Sequence, residues 1–150
     1  MRRLGGDRRW RTWLALTPDR GARPIGGVDV LPQGRGDLGR RLTRLMARLP
    51  IGPVVVIGAD APGLKGGDIA EAFRALGSAD AVFGPAPDGG YWLVGLRRGS
   101  RALDPFGGVR WSTALALADT LGNLAGRRVS LLRVLEDVDD GESYERFARP

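Results

Sequence analysis

A run of four β-branched apolar residues, Val54–Ile57, is built of valine and isoleucine and ends at Gly58. A run of this kind is typical of a fully buried strand at the centre of a parallel sheet. One carboxylate, Asp60, follows it, between Gly58 and Pro62. Because open α/β sheets bind ligands beyond the carboxyl ends of their strands, Asp60 is a candidate functional residue. Aspartate also caps turns and helices, and the spacing alone leaves that alternative open.

Elsewhere the apolar positions switch between strand-like and helix-like periods. Asp37 is placed to cap a helix with leucines on one face and arginines on the other. This alternation of strands and helices predicts an α/β protein, a three-layer α/β/α sandwich forming a single domain over residues 1–150. The other predicted strands are 10–17, 28–31, 81–84, 91–96 and 129–135, and the other predicted helices are 69–76 (capped by Asp68), about 112–124 and about 142–147.

Two residue types with strong catalytic and metal-binding chemistry are absent from the sequence. The chain has 150 residues, of which 43% are hydrophobic, and it contains no cysteine and no histidine. This excludes disulfides, thiolate catalysis, Ser-His-Asp triads and metal sites built on Cys or His. Any metal is therefore expected to be a hard cation held by carboxylates, Mg²⁺ or Mn²⁺.

The net charge of +6 comes almost entirely from arginine, since Lys65 is the only lysine. A local cluster of arginines near the start of the chain is interpreted as a solvated terminus, and we expect no nucleic-acid partner. No apolar run approaches the ~20 residues of a membrane span, and the first residues lack the apolar core of a secretory signal. We expect no membrane association, and predict a cytoplasmic protein.

A second acidic group, Asp137, Asp139 and Asp140, follows the last predicted strand. If that strand runs parallel to Val54–Ile57, both acidic groups open on one edge of the sheet and could hold one Mg²⁺ against substrate phosphates. The alternative is a helix N-terminus enriched in acidic residues, which the helix dipole favours.

Two glycine-rich turns are further candidates. Asp88-Gly89-Gly90 is a tight turn in which glycine would let a ligand approach the backbone. Tyr91 and Trp92 follow it and could stack on a sugar or base, although aromatic residues at a strand start are commonly core residues. The second turn could present backbone N–H groups to phosphate, but it lacks the spacing of known phosphate loops; its candidate residues are Gln33, Gly36 and Asp37.

Taken together, several blocks resemble one known family. The chain is similar to bacterial glycosyltransferases of the arsenosugar-biosynthesis type, which have the GT-A fold of nucleotide-diphospho-sugar transferases and are related to molybdenum-cofactor guanylyltransferase-like enzymes. The blocks that carry this resemblance are Gly36–Arg41, Ile57–Pro62, Gly84–Leu96, Val109–Thr113 and Asp137–Asp140.

The resemblance implies a metal-dependent transferase that acts on a nucleotide sugar and a small-molecule acceptor. Nucleotidyl transfer from a nucleoside triphosphate on the same fold is the alternative. The implied catalytic residues are Asp60 and Asp88, and the implied ligands of Mg²⁺ or Mn²⁺ are Asp60 and Asp139. The implied substrate-binding residues are Gln33, Gly36, Asp37, Gly89, Gly90, Tyr91, Trp92, Trp111 and Ser112.

The sequence departs from the family pattern at its start. The strand, nucleotide-binding loop and helix with which family members begin are missing, so we expect a truncated domain with weakened nucleotide binding. An uncovered sheet edge would favour self-association, and a homo-oligomer is a further expectation. The third alternative is accordingly a non-catalytic remnant.

Overall fold

The structure of the protein is a computed structural model with strands and helices throughout. Its Cα packing separates two compact units, an N-terminal unit of residues 1–50 and a C-terminal unit of residues 51–150. The mixed α/β class is confirmed, and the assignment of residues 1–150 to a single domain stays a prediction. The residues described are 7–17, 28–59, 61, 63–99 and 103–135.

In its described residues, the N-terminal unit holds two short parallel strands and one helix. Strand β1 (Trp13–Leu16) pairs with β2 (Asp29–Pro32), and helix α1 (Leu38–Arg48) follows. The predicted N-cap is confirmed, since the Asp37 side chain accepts a hydrogen bond of 2.8 Å from the backbone N–H of Arg40. The apolar face of α1 is buried at Leu42, Leu45 and Met46.

In the part that the structure describes, the C-terminal unit is organised around a four-stranded sheet in the order β3-β5-β4-β6. Strand β5 is antiparallel to both β3 and β4, whereas β4 and β6 are parallel. Strands β3, β4 and β6 therefore run in one direction and β5 in the other. The elements are β3 (Pro53–Ile57), α2 (Gly66–Ala75), β4 (Ala81–Pro85), β5 (Tyr91–Arg97), α3 (Ala116–Gly122) and β6 (Val129–Leu131).

The position of β3 corrects one prediction. Val54–Ile57 forms a strand, but its partner is antiparallel, and among the described residues β3 lies at one end of its sheet rather than at the centre. Val54 is buried and the next three residues are half-buried. Val55 and Ile57 pack on the core from one face. An apolar run indicates that both faces of a strand are buried, but it does not indicate the direction of the neighbouring strand.

Three boundaries also differ from the sequence-based expectation. Helix α2 begins at Gly66, so Asp68 lies in its first turn and accepts a 2.7 Å hydrogen bond from the backbone N–H of Lys65. Helix α3 begins at Ala116, after a series of turns, and β6 ends at Leu131. The predicted helix at 142–147 lies outside the described residues.

The core of the C-terminal unit forms where α2 packs on β3 and β4. Side chains from the helix, the strands and the segments beyond the strands contribute to it. The buried cluster is Ala61, Ala72, Leu76, Val82, Trp92, Leu93, Leu132 and Leu135.

In the part of the chain that the structure describes, no helix combines the length and apolarity needed to cross a membrane.

The packing of β4 against β5 predicts the effect of substituting Gly84. A Cβ atom at this position would collide with the Trp92 indole, which is 1% exposed and cannot move aside. We expect Gly84→Ala to lower the free energy of unfolding by about 1–3 kcal/mol, measured by urea denaturation. Gly67→Ala is the control, because Gly67 is helical with nothing within 4 Å of the added atom, and it should be neutral or slightly stabilising. Equal stabilities of the two variants would contradict the packing argument.

Candidate functional site

The strand directions bring several chain segments to one edge of the C-terminal sheet. Strands β3, β4 and β6 end there and β5 begins there. We call this the site edge; it comprises Gly58, the turn at 86–90, Tyr91 and Arg133. The carboxyl ends of parallel strands are the usual position for ligands in open α/β sheets.

Trp92 joins the strand ends at the site edge. Its carbonyl accepts a 2.9 Å hydrogen bond from the N–H of Gly58. Its indole Nε1–H donates to the carbonyl of Arg133 at 3.2 Å, and the ring lies against Gly84. At 1% exposure Trp92 is a core residue, and this environment gives no support to the prediction that it contacts substrate.

The Asp88 turn has the geometry that its sequence predicts. Oδ1 of Asp88 accepts a 2.8 Å hydrogen bond from the N–H of Gly90, as in an Asx-turn. The turn is closed by a bond from the N–H of Ala86 to the carbonyl of Gly90, 3.1 Å. The carboxylate is exposed, and among the described residues no group binds Oδ2. Asp88 therefore presents a fixed carboxylate oxygen to solvent.

Gly89 joins this turn to the segment 109–115, which we call the Trp111 loop. Its φ of +86° lies in the left-handed region, and a Cβ atom would collide with the backbone of Ala114. Its carbonyl accepts a 2.9 Å hydrogen bond from the N–H of Leu117, at the start of α3. Only glycine fits this close approach. The structure thus brings together predicted site residues from two sequence blocks, 84–96 and 109–113, with Gly89 and Trp111 among them.

An ion pair that the sequence did not indicate holds the Trp111 loop. Asp119 accepts hydrogen bonds from the Nε, Nη2 and backbone N–H of Arg110, at 2.9, 2.7 and 3.0 Å. These bonds from Arg110 lower the pKa of Asp119 to about 2. Thr113 Oγ1 donates to the carbonyl of Arg110 at 2.7 Å. The loop is therefore ordered by polar contacts with the following helix.

Ser112 is the one described non-glycine residue with a left-handed backbone, φ 57°. Such a conformation costs serine of the order of 1 kcal/mol and is common at functional sites. Its side chain is exposed, and Trp111 beside it is half-buried. The loop therefore presents a hydroxyl next to an indole.

Tyr91 packs against the Trp111 loop. Its ring contacts Phe83 edge-on, with 5.2 Å between ring centroids, and Trp111 at 6.3 Å. The hydroxyl oxygen is buried and makes no hydrogen bond of good geometry among the described residues; the nearby Thr120 hydroxyl, which has a small lowering effect on the Tyr91 pKa, donates to the carbonyl of Ala116 instead. Burial raises the pKa of Tyr91 to about 12. The accessible part of this aromatic pair is Trp111 rather than the tyrosine hydroxyl.

A second ion pair anchors the segment that follows β6. Arg133 donates from Nε to Oδ1 of Asp68 at 2.7 Å and from Nη2 to Oδ2 at 2.9 Å. Nη2 also donates to the carbonyl of Gly63 at 3.0 Å. The guanidinium lowers the pKa of Asp68. These bonds fix the segments that follow β3 and β6 to each other.

The remaining predicted substrate residues belong to the N-terminal unit and serve its own structure. Gln33 donates from its backbone N–H to Leu16 and from Nε2 to Ala15, both at 3.1 Å. Gly36 has a φ of +112° and Asp37 caps α1. Their contact with substrate stays a prediction.

Both predicted metal ligands, Asp60 and Asp139, lie outside the described residues. Within the described ranges, no group of three or more Asp or Glu side chains could hold a metal ion. Binding of Mg²⁺ or Mn²⁺ stays a prediction.

Comparisons with known proteins agree with this architecture. Residues 1–113 match the model of the family DUF2064, described as "Uncharacterized protein conserved in bacteria". A crystal structure of a protein from Desulfovibrio desulfuricans G20, provisionally designated a nucleotide-diphospho-sugar transferase, is 31% identical with a TM-score of 0.76. The match covers 81% of this chain and 55% of that protein, so the chain spans just over half of its length. No curated protein matches the chain.

The buried hydroxyl of Tyr91 predicts an unusual response to its removal. We expect Tyr91→Phe to leave the free energy of unfolding unchanged or to raise it by up to about 1 kcal/mol, because the variant no longer buries an unpaired polar atom. With a pKa of about 12 in the folded state, against the ordinary value of 10.0, the folded protein keeps a proton that the unfolded chain releases.

The wild type should therefore lose stability relative to Tyr91→Phe as the pH rises above 10. Urea denaturation at pH 7 and at about pH 11 measures both effects. A loss of more than about 1 kcal/mol in the variant at pH 7 would show that the hydroxyl has a stabilising partner.

Proposed function

The chain belongs to the bacterial family DUF2064, and we propose that it is a transferase that acts on a nucleotide-diphospho-sugar, with a small hydroxyl-bearing molecule as the acceptor. The observation that carries the proposal is the convergence at the site edge of three strand ends, the Asp88 turn and the Trp111 loop. Support also comes from the fold shared with the Desulfovibrio protein, whose name gives the class of substrate.

In this proposal the exposed carboxylate of Asp88 acts as the general base. Oδ1 is held by the N–H of Gly90, which leaves Oδ2 to accept the proton of the acceptor hydroxyl. The acceptor oxygen attacks the anomeric carbon of the sugar, and the bond from that carbon to the diphosphate breaks. The nucleoside diphosphate leaves with the electron pair, and Asp88 passes its proton to solvent.

The Trp111 loop is proposed to hold the sugar. The indole of Trp111, backed by Tyr91 and Phe106, offers an apolar face of the kind on which sugar rings stack. The exposed hydroxyl of Ser112 is available to a sugar hydroxyl. Gly89 and Gly90 leave the backbone open to close approach by the ligand.

A divalent cation, when bound, would neutralise charge on the diphosphate. We propose that Asp60 and Asp139 would hold Mg²⁺ or Mn²⁺, since carboxylate oxygen is the ligand these ions prefer.

The Asp88 turn allows the carboxylate to be removed without removing its structural bond. In Asp88→Asn the amide oxygen can still accept from the N–H of Gly90, so the fold and substrate binding should be unchanged. Loss of the general base should reduce product formation by about 10²–10⁴-fold. Substrates are first found by thermal shift against a panel of nucleotide sugars with Mg²⁺ or Mn²⁺, and turnover is then read by product mass.

Asp104→Asn is the matched control. Asp104 is also exposed and also accepts a bond from the backbone N–H two residues later, at 3.4 Å from Phe106. It should turn over at the wild-type rate. Full activity of Asp88→Asn would remove Asp88 from the chemistry, and a product that carries the nucleoside monophosphate would indicate nucleotidyl transfer instead.

Asp60→Asn tests the proposed metal site. We expect the thermal shift caused by nucleotide together with Mg²⁺ or Mn²⁺ to disappear, while the melting temperature without ligands stays within a few degrees of the wild type. The amide is a much weaker ligand for these cations than the carboxylate. Asp104→Asn again provides the control with the same change of charge. An unchanged metal-dependent shift in Asp60→Asn would exclude Asp60 as a ligand.

A further inference from the structure

The side chain of Arg44 in α1 is fixed by the segment that precedes the helix. Nη1 donates to the carbonyl of Gln33 at 2.7 Å and Nη2 to the carbonyl of Arg35 at 3.0 Å. Gly34 has a φ of +77°, and a Cβ atom there would collide with the guanidinium. The guanidinium of Arg44 therefore occupies the space in which a side chain at position 34 would lie.

Two neighbouring arginines are held in the same way. Nε of Arg41 donates to the carbonyl of Gly36 at 2.8 Å, and Nη1 of Arg48 donates to the carbonyl of Pro32 at 3.4 Å. Positions 41, 44 and 48 lie on one face of α1, along roughly 10 Å of its axis. We call Arg41, Arg44 and Arg48 the arginine stripe.

Among the described residues, no carboxylate forms an ion pair with a member of the arginine stripe. In the described part of the N-terminal unit, Asp7 pairs with Arg9, and Asp29 pairs with Arg11. Asp37 caps α1 through a backbone bond. The backbone carbonyls that hold the stripe accept hydrogen bonds but carry no net charge. As far as the described residues go, the three guanidinium groups thus keep N–H groups available to an anion.

A planar guanidinium binds phosphate through parallel N–H···O bonds, and each member of the stripe has N–H groups beyond those used by the carbonyls. We propose that the arginine stripe is a binding site for a linear oligophosphate, such as pyrophosphate or triphosphate, free or as part of a nucleotide. The stripe is held by the segment that contains the predicted substrate residues Gln33 and Gly36, and titration without metal or sugar tests it separately from the transferase activity.

Single-stranded nucleic acid is the less suitable ligand for this surface. Proteins that bind it combine basic grooves with aromatic rings on which bases stack. Helix α1 has no aromatic residue. The rings of Trp10 and Trp13 are covered by the guanidinium groups of Arg9 and Arg11, each 4.7 Å from the ring centroid.

Isothermal titration of the full chain with phosphate, pyrophosphate and triphosphate, at low salt and without divalent metal or sugar, tests the proposal. We expect affinity to rise with the number of phosphate groups and to fall as salt increases. Arg44→Lys keeps the charge but loses the fork-shaped donor geometry, and it should weaken triphosphate binding about tenfold. Arg127→Lys, at an exposed position of the C-terminal unit, should bind within about twofold of the wild type.

Gly34→Ala gives a second test, because it leaves all arginines in place and displaces the guanidinium of Arg44; it should also weaken binding. Circular dichroism checks that each variant is folded, and Arg41→Lys and Arg48→Lys replace any variant that is not. Absent triphosphate binding, equal affinity for phosphate and triphosphate, or wild-type binding by the stripe variants would overturn the proposal. Tighter binding of a single-stranded oligonucleotide than of triphosphate would assign the stripe to nucleic acid instead.

Discussion

The C-terminal unit depends on how Trp92 is buried. Trp92 lies near the start of β5, which is the only antiparallel strand of the described sheet. Its carbonyl accepts a hydrogen bond from the residue after β3, and its indole donates one to the segment beyond β6. The ring itself fills the space above Gly84 in β4. These contacts align the ends of four strands, so the core packing of a single side chain also sets the position of the surface where chemistry is proposed.

On this rigid base the parts of the site are loops, as in many α/β proteins. The Asp88 turn and the Trp111 loop come from different parts of the sequence and meet through a glycine that has no room for a side chain. The Trp111 loop adds a strained serine and an ion pair to α3. Strain of this kind persists only where surrounding contacts outweigh it, which the paired Arg110 and Asp119 provide.

Local chemistry was predictable from the sequence, and long-range geometry was not. The cap at Asp37 and the turn at Asp88 follow from the preference of a short carboxylate side chain for nearby backbone N–H groups, and both are present. The Asp88 turn between two apolar runs is a local signal for the antiparallel pair of β4 and β5, but the pairing of β5 with β3 has no local signal. Neither has the pair of Arg133 with Asp68, which are 65 positions apart. By sequence, Trp92 fits either a core role or a ligand-stacking role. Its burial in the structure favours the core role.

The hydrogen bonding between β4 and the chain after β6 has a consequence for how this sequence can vary. The hydrogen bonding continues past the end of β6. The backbone N–H of Leu132 donates to the carbonyl of Phe83, and the backbone N–H of Leu135 donates to that of Pro85. Leu132 and Leu135 face the core, and Arg133 lies between them. A point substitution here alters one contact, whereas deletion of a single residue would exchange core and surface positions together. Over evolutionary time, insertions and deletions should therefore be rare between residues 129 and 135, even where amino-acid identities drift.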